Sequence, residues 1–272
     1  MDIIINSTLP HLLENVPKAD ESSHLSNYYQ NILACLGYSA NNPPVADLLR
    51  RYHKLEGLWL IASPIHWEAT HNDAMIMACD DALDLSEEES QHLFADLAEF
   101  LADDKVKLHY HDAYTWLIQF EAFSPVNAKP VHMLLQQPMM QQLQALDSTL
   151  FWSKFLTENQ MFFSEHPLNK ARVGLHSING VWIWGAGELK ARVSKPMICS
   201  DEATYDLASV LSTRVNRYVP DHKYPKDAVL LFSDFDGKQA CQFEKNTVHW
   251  YWNNAKYITK PKNWFARLFG GK

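Results

Sequence analysis

Short apolar runs recur along the chain, and their richness in β-branched and aromatic residues predicts strands. The first run comes almost at once, at residues 3–5, and reads Ile-Ile-Ile. A polar turn at residues 71–73 separates the next two runs, which indicates a hairpin. The further predicted strands cover residues 58–70, 74–80, 105–111, 114–120, 197–200 and 228–232.

Between these runs, apolar residues three and four positions apart predict amphipathic helices. The clearest begins after Ser86, where Glu87, Glu88 and Glu89 suit the positive end of a helix dipole. Asp147 and Ser148 are expected to cap another helix that runs to about residue 165. Other predicted helices cover residues 23–36, 44–55 and 202–211.

The order of these elements predicts an α/β protein. Residues 57–120 read strand, strand, helix, strand, strand, and we expect them to form an inserted α+β lobe. Residues 1–56 and 121–272 would form the α/β core, with the strands near residues 3–5, 197–200 and 228–232 in one central sheet. The last 40 residues are expected to form short strands around turns at Asp236-Gly237 and Lys245-Asn246.

Composition and charge narrow the classes of function. The formal net charge is −8 and the pI about 5.9, which argues against a nucleic-acid partner because such proteins usually present a basic face. We find no signal peptide and no apolar run of the length that a membrane span needs, so we expect a cytoplasmic protein without an integral membrane segment. The four cysteines are far apart, form no CxxC pair and are expected to be reduced, with no cysteine-based zinc motif.

The most informative segment runs from residue 166 to residue 189. Arg172 offers a permanent, planar positive charge for a phosphate or carboxylate, and His166, Asn169 and Asn179 could orient such a ligand. Trp184 and Gly185 would form one wall and allow a close backbone approach. The alternative is structural: tryptophans on one strand face usually pack a core, and asparagines commonly tie loops together.

This segment resembles a module of archaeal-type cofactor-independent phosphoglycerate mutases, which reads roughly HPxNxxR followed by NxxWxWGxG. The module is also similar in a bacterial group of RpfE-type regulatory proteins, whose resemblance extends over about residues 57–272. The resemblance implies an alkaline-phosphatase-like central sheet, shortened here, with a site for a phosphorylated ligand. The matching residues are His166, Pro167, Asn169, Arg172, Asn179, Trp182, Trp184, Gly185 and Gly187.

The two-metal chemistry that the resemblance implies needs Asp and His residues at strand ends. The first strand ends in Asn6 where those enzymes have Asp, and no His follows Asp234 and Asp236 at the expected spacing, the nearest being His249. We therefore predict no metal and no cofactor, with Asp234 and Asp236 as the first ligands to test if a metal does bind.

Two weaker patterns stay open. The stretch LLFSDFDGK also resembles the first motif of haloacid-dehalogenase phosphatases, with Asp234 as nucleophile and Asp236 as acid/base, but a hairpin turn with Asp-Gly at its tip explains it better. His109 and His111 lie two apart on a predicted strand and could be a metal pair or simply satisfied side chains.

The sequence thus predicts a degenerate relative of the mutases, a pseudoenzyme that regulates or binds, with a small anionic, phosphorylated metabolite as its ligand. One alternative is an active mutase or phosphoryl-transfer enzyme with rearranged metal ligands, whose catalytic residues the sequence does not identify. Another is a protein-interaction module that uses the acidic helix after Ser86 or the aromatic and basic C-terminal residues 263–272.

Overall fold

The computed structural model describes residues 1–9, 26–121, 126–146, 148–194, 196–235 and 237–261. The chain forms two compact units. Met1–Tyr38 and Lys190–Lys272 make up the first unit, and Ser39–Leu189 makes up the second. Three sets of residues for which the sequence makes predictions lie outside the described residues: the helix-capping Asp147, the turn residue Asp236 and the aromatic and basic residues 263–272.

Within the described residues the strands are β1 (Asp2–Ile5), β2 (Leu60–Ala69), β3 (Ala74–Cys79), β4 (Val106–Asp112), β5 (Thr115–Phe120), β6 (Gly180–Trp184), β7 (Ile198–Ser200), β8 (Val215–Arg217), β9 (Val229–Phe232), β10 (Val248–Tyr251) and β11 (Lys256–Thr259). The α-helices are α1 (Tyr28–Cys35), α2 (Val45–Tyr52), α3 (Glu87–Phe100), α4 (Met140–Leu146), α5 (Phe151–Ser164), α6 (Pro167–Ala171) and α7 (Tyr205–Leu211). The predicted α/β class is confirmed by these helices and the two sheets described below.

The first unit is built on a six-stranded sheet in the order β11-β10-β1-β9-β7-β8. β1 pairs parallel with both β10 and β9, and β7 pairs parallel with β9 and β8. The predicted grouping of β1, β7 and β9 in one sheet is therefore confirmed. Ile3, Ile5, Leu230, Phe232 and Trp250 are buried in its core, as the near-continuous apolar sequence of a covered parallel sheet requires.

Two details of this sheet differ from the prediction. β9 pairs parallel on both sides, so Gly237 is not the tip of a hairpin and instead begins a short 3₁₀-helix. The observed hairpin joins β10 to β11, and its turn is closed by the Trp252 amide, which donates to the Ala255 carbonyl at 2.8 Å. β8 was not predicted because its three residues, Val-Asn-Arg, do not form an apolar run.

The second unit is built on a five-stranded antiparallel sheet in which β2 is central. β3 and β5 pair with different halves of β2 along one edge, β4 pairs with β5, and β6 pairs with β2 along the other edge. The predicted strands and helix of residues 57–120 are all present. They lie inside the larger unit, because β6 belongs to the same sheet as β2.

Helix α3 begins where the sequence predicts. The Ser86 side chain accepts a hydrogen bond from the Glu89 amide, and the Glu89 side chain accepts one from the Ser86 amide, so the two form a capping box. Ser90 then donates to the Ala113 carbonyl at 2.7 Å and accepts from Trp116 Nε1 at 3.1 Å, which fixes α3 on the β4–β5 hairpin.

Two other helices begin later than predicted. α1 starts at Tyr28 behind a capping box of Asn27 and Gln30. α5 starts at Phe151 behind Leu150, which has a φ of 63° and makes no side-chain cap, so Ser148 does not cap it. In the part of the chain that the structure describes, no helix has the length and apolar character to cross a bilayer.

Candidate functional site

Arg172, the predicted anion-binding residue, lies at the end of α6 with its side chain 1% exposed. Its Nη1 donates to Glu89 Oε1 at 2.9 Å, and its Nε donates to the His176 carbonyl at 2.9 Å. Nη2 donates to the carbonyls of Leu83 and Asp84. The guanidinium thus ties the end of α6 to the start of α3 and to the turn before it.

The carboxylate of Glu89 accepts from Nη1, one of the donors that a bound anion would need. Desolvation alone would raise the pKa of Glu89, but hydrogen bonds from Ser86 and the charge and hydrogen bond of Arg172 outweigh it, so the pKa is lowered. Glu89 is therefore ionised at neutral pH and neutralises Arg172 within the chain.

His166 and Asn169 are engaged in the same way. His166 caps α6, with Nδ1 accepting from the Leu168 amide, while Nε2 lies 2.9 Å from Asp96 Oδ2. Asn169 Nδ2 donates to a carbonyl in the last turn of α5 and to the Ile178 carbonyl, both at 2.7 Å. Its Oδ1 accepts from the Ile178 amide at 2.7 Å, so this asparagine joins α5 to the segment that enters β6.

Asn179 directly precedes β6 and bonds to the backbone of β2. Its backbone amide donates to the Ile65 carbonyl at 3.2 Å. Asn179 Oδ1 accepts from the Trp67 amide and Nδ2 donates to the Trp67 carbonyl, both at 2.8 Å. The side-chain amide thus continues the pairing of β6 with β2 beyond Gly180 and Ile65.

Trp184 and Gly185 lie at the opposite end of β6 from Asn179. A strand rises about 3.3 Å per residue, which puts Trp184 about 16 Å from Asn179. The predicted wall is therefore not formed beside Asn179. Trp184 is buried, and its Nε1 donates to Ser63 Oγ at 3.0 Å.

The two glycines of the module have separate steric reasons. Gly185 has a φ of +81°, a conformation that favours glycine. A Cβ on Gly187 would lie 2.8 Å from the Asn42 carbonyl oxygen and 3.1 Å from the Pro44 nitrogen, so a side chain there would force the backbones apart. The polar atoms of Arg172, Asn169 and Asn179 bond within the chain, and the two glycines pack closely. Both features are expected if the module has a structural role.

The carboxyl edge of the parallel sheet is the usual ligand site of such sheets. Asp201 follows β7 there. Its Oδ1 accepts from the amide and hydroxyl of Thr204 at 2.9 and 2.6 Å, and its Oδ2 accepts from the amide and hydroxyl of Ser233, both at 2.6 Å. Desolvation raises its pKa, but these hydrogen bonds outweigh that effect and lower it.

The other candidates at this edge are few among the described residues. Asn6, neutral and exposed, follows β1, and its amide donates to the Phe232 carbonyl. Asp234 is exposed and accepts from the Phe235 amide. His249 lies 3.0 Å from Asp2 near the amino ends of β10 and β1, so it belongs to the opposite edge.

The predicted pair His109 and His111 gains a third member, His53, from the end of α2. His53 Nε2 lies 2.8 Å from His111 Nδ1, and the ring centres of His53 and His109 are 4.4 Å apart. Desolvation and then the charges of its two neighbours lower the pKa of His111 to about 4. Desolvation also lowers the pKa values of His53 and His109, so the three imidazoles are neutral at pH 7. The sequence did not reveal His53 because it lies 58 residues from His111.

Another group that the sequence did not reveal consists of Cys79, Asp80 and His132. Their ligand atoms all lie within 4.8 Å of one another, which makes them a set that could hold a metal ion. His132 comes from the proline-rich and glutamine-rich connector, where no spacing pattern pointed to it.

No known family profile matches the chain, and no curated protein matches it. Among solved structures it is similar to a cofactor-independent phosphoglycerate mutase from Thermoplasma acidophilum DSM 1728. The TM-score is 0.33 and the sequence identity 14%, and the match covers 86% of this chain and 77% of that chain. A likeness at this level does not indicate whether this chain is catalytic or regulatory.

Proposed function

We propose that this chain is a non-catalytic, cytoplasmic relative of the cofactor-independent phosphoglycerate mutases, of the RpfE-type regulatory kind, which acts by binding rather than by turnover. The observation that carries the proposal is the state of Asp201. Its two oxygens accept four hydrogen bonds from Thr204 and Ser233 at 2.6–2.9 Å.

A metal pair that clamps the attacking and leaving oxygens of a phosphoryl group needs several carboxylate and imidazole ligands that are free to point at the ions. Asp201 is the most enclosed carboxylate at the carboxyl edge among the described residues, and its lone pairs are already directed at the chain's own donors. Asn6 carries no charge to offset a divalent ion. Both features support the loss of the mutase reaction.

We also propose an anionic ligand at Arg172, which would have to compete with the contacts that Arg172 makes within the chain. Such a ligand would have to displace the Glu89 carboxylate, which lies 2.9 Å from Nη1, and would also have to compete with backbone carbonyls on Nε and Nη2. The residue types support the site, whereas these contacts support the structural alternative. Glu89→Gln separates the two, since it weakens the internal competitor without removing the cation.

The test of the main proposal is a turnover assay with 2- and 3-phosphoglycerate, with and without manganese. We expect no interconversion above the rate of a heat-inactivated sample. Turnover that disappears in Asp201→Asn and persists in Asp234→Asn would overturn the proposal, because it would show that Asp201 exchanges its internal hydrogen bonds for a catalytic role.

Binding is tested separately by thermal shift with the same phosphorylated metabolites. A ligand present at 100 times its Kd stabilises the folded chain by about 2.7 kcal/mol. We expect stabilisation by at least one phosphorylated compound, with a larger effect in Glu89→Gln if Arg172 is the binding group. No stabilisation by any of them in either protein would refute the anionic ligand.

A further inference from the structure

The end of β3 and a distant connector are held side by side in the second unit. Cys79 is the last residue of β3 and Asp80 follows it. His132 lies in the 3₁₀-helix Val131–Leu134. The chain after that helix runs along β3, where the Gln136 amide donates to the Ile76 carbonyl at 2.9 Å, and this pairing brings His132 to Cys79.

The three side chains converge through one nitrogen of the imidazole. His132 Nδ1 lies 2.7 Å from Asp80 Oδ2 and 3.8 Å from Cys79 Sγ. Cys79 and His132 are more than nine-tenths buried, whereas the Asp80 side chain is 29% exposed. The group is thus enclosed on the sulfur and imidazole side and open to solvent on the carboxylate side.

We propose that Cys79, Asp80 and His132 form a binding site for a divalent metal of borderline softness, zinc above all, with a fourth position open to water. Zinc binds sulfur at about 2.3 Å and nitrogen or oxygen at about 2.0–2.2 Å, so tetrahedral ligand atoms are about 3.2–3.8 Å apart. The sulfur–nitrogen distance already matches this value, and the nitrogen–oxygen distance would have to open by about 0.5–1 Å.

The chemistry of the donors favours zinc over calcium or magnesium. One sulfur, one nitrogen and one oxygen ligand form a mixed set typical of zinc, whereas magnesium and calcium take oxygen ligands. Three protein ligands and an open position would leave room for water or an exogenous group. The inference departs from the expectation of no metal, and it concerns a different unit from Asp201.

The electrostatic surroundings favour a cation at this point. Asp80 and Asp81 are consecutive carboxylates at the start of the 3₁₀-helix that follows β3, and their like charges repel each other. A divalent ion between Cys79 and Asp80 would relieve this repulsion.

The surroundings of His132 also fix its orientation. Its ring packs edge-on against Trp184, with ring centres 6.2 Å apart. Its Nε2 is buried and has no hydrogen-bond partner within the described residues. Nδ1 faces Asp80 and Cys79, so it is the nitrogen that would bind a metal here, and the Trp184 ring lies against the imidazole.

The test uses the full chain, stripped of metal by a chelator under reducing conditions and then titrated with zinc against a chromogenic chelator. We expect one zinc per chain, and with cobalt a charge-transfer band from a thiolate ligand. Cys79→Ser and His132→Gln should each weaken zinc binding on the order of 100-fold, because loss of a residue that merely hydrogen-bonds to a metal ligand already lowers metal affinity about 10- to 100-fold. Cys199→Ser, a buried cysteine of the other unit, is the matched control.

Asp80→Asn is a second variant for use if Cys79→Ser or His132→Gln fails to fold. Because the Asp80 side chain is partly exposed and the substitution changes a single atom, the fold should tolerate it. It should retain the fold and lose affinity. The inference is overturned if the stripped protein takes up no stoichiometric zinc. It is equally overturned if binding survives in Cys79→Ser and Asp80→Asn but is lost in His111→Gln, which would assign the metal to the histidine cluster.

Discussion

Arg172→Ala is expected to destabilise the second unit strongly. The change removes a side chain that is 1% exposed and that holds Glu89 together with the carbonyls of His176, Leu83 and Asp84. Those acceptors lie on two segments more than 80 residues apart in sequence. Without the guanidinium, the turn before α3 loses its tie to the end of α6.

The expected loss of stability in Arg172→Ala follows from the groups that are left without a partner. Removing one partner of a buried ion pair typically costs about 3–5 kcal/mol, because the other charge and its hydrogen-bonding neighbours are left without compensation. Glu89 is 31% exposed and can be partly hydrated, so we expect a value near the lower end of this range. For a unit of this size, about 3 kcal/mol corresponds to a fall in Tm of roughly 6–12 °C.

Urea unfolding of Arg172→Ala, Glu89→Gln and the double variant measures the coupling directly. We expect a coupling energy of about 1–3 kcal/mol between the two residues. Lys170→Ala, an exposed cation on α6, should change the stability by less than about 0.5 kcal/mol. If Arg172→Ala unfolds like the unmodified protein but loses the binding of phosphorylated compounds, Arg172 is a ligand-binding residue and the clamp interpretation is refuted.

Two further predictions concern the sheet of the same unit. Asn179→Ala should cost about 2 kcal/mol in urea unfolding, since the amide and carbonyl of Trp67 lose their partners, and an unchanged midpoint would show that water replaces them. His111 has a pKa of about 4 when folded and about 6.5 when unfolded, so stability should fall by about 3 kcal/mol as the pH drops from 6.5 to 4, and His111→Gln should remove most of that fall. Desolvation raises the pKa of Asp112 to about 6, so this residue changes stability with pH in the opposite direction, and the comparison should be repeated in Asp112→Asn. Because the Asp112 side chain is 41% exposed, we expect its effect to be small. A pH slope that His111→Gln leaves intact would contradict the assignment to His111.

Elements with strong local signals could be predicted from the sequence. The Ser86 cap worked because serine and glutamate three residues apart satisfy each other's backbone amides whatever lies elsewhere in the fold. The strand at residues 3–5 was evident from three β-branched residues, and its parallel partner at residues 228–232 was evident from an apolar run that a covered sheet permits on both faces. The start of α5 was not predicted correctly because Leu150, the residue before it, makes no side-chain cap, and no residue type in the sequence indicates its left-handed backbone conformation.

Contacts between distant segments could not be predicted in this way. Glu89 lies 83 residues from Arg172, and His132 lies 53 residues from Cys79. Neither spacing corresponds to a helix or strand period, so no pattern of residue types could reveal the pairs. The residue types at Arg172 predict an anionic partner, and the contact with the Glu89 carboxylate could not be foreseen from them.

The location of the module limits what its resemblance to the mutases can say about activity. All nine matching positions, from His166 to Gly187, belong to the Ser39–Leu189 unit, whereas Asn6, Asp201 and Asp234 belong to the other unit. The contacts of the module satisfy the backbone of β2 at Trp67, close a helix end and pack two tryptophans. Such contacts are needed to keep a fold whether or not the carboxyl edge of the parallel sheet carries out a reaction. A module of this kind can therefore persist while strand ends lose their metal ligands, and activity must be judged at Asp201 rather than at Arg172.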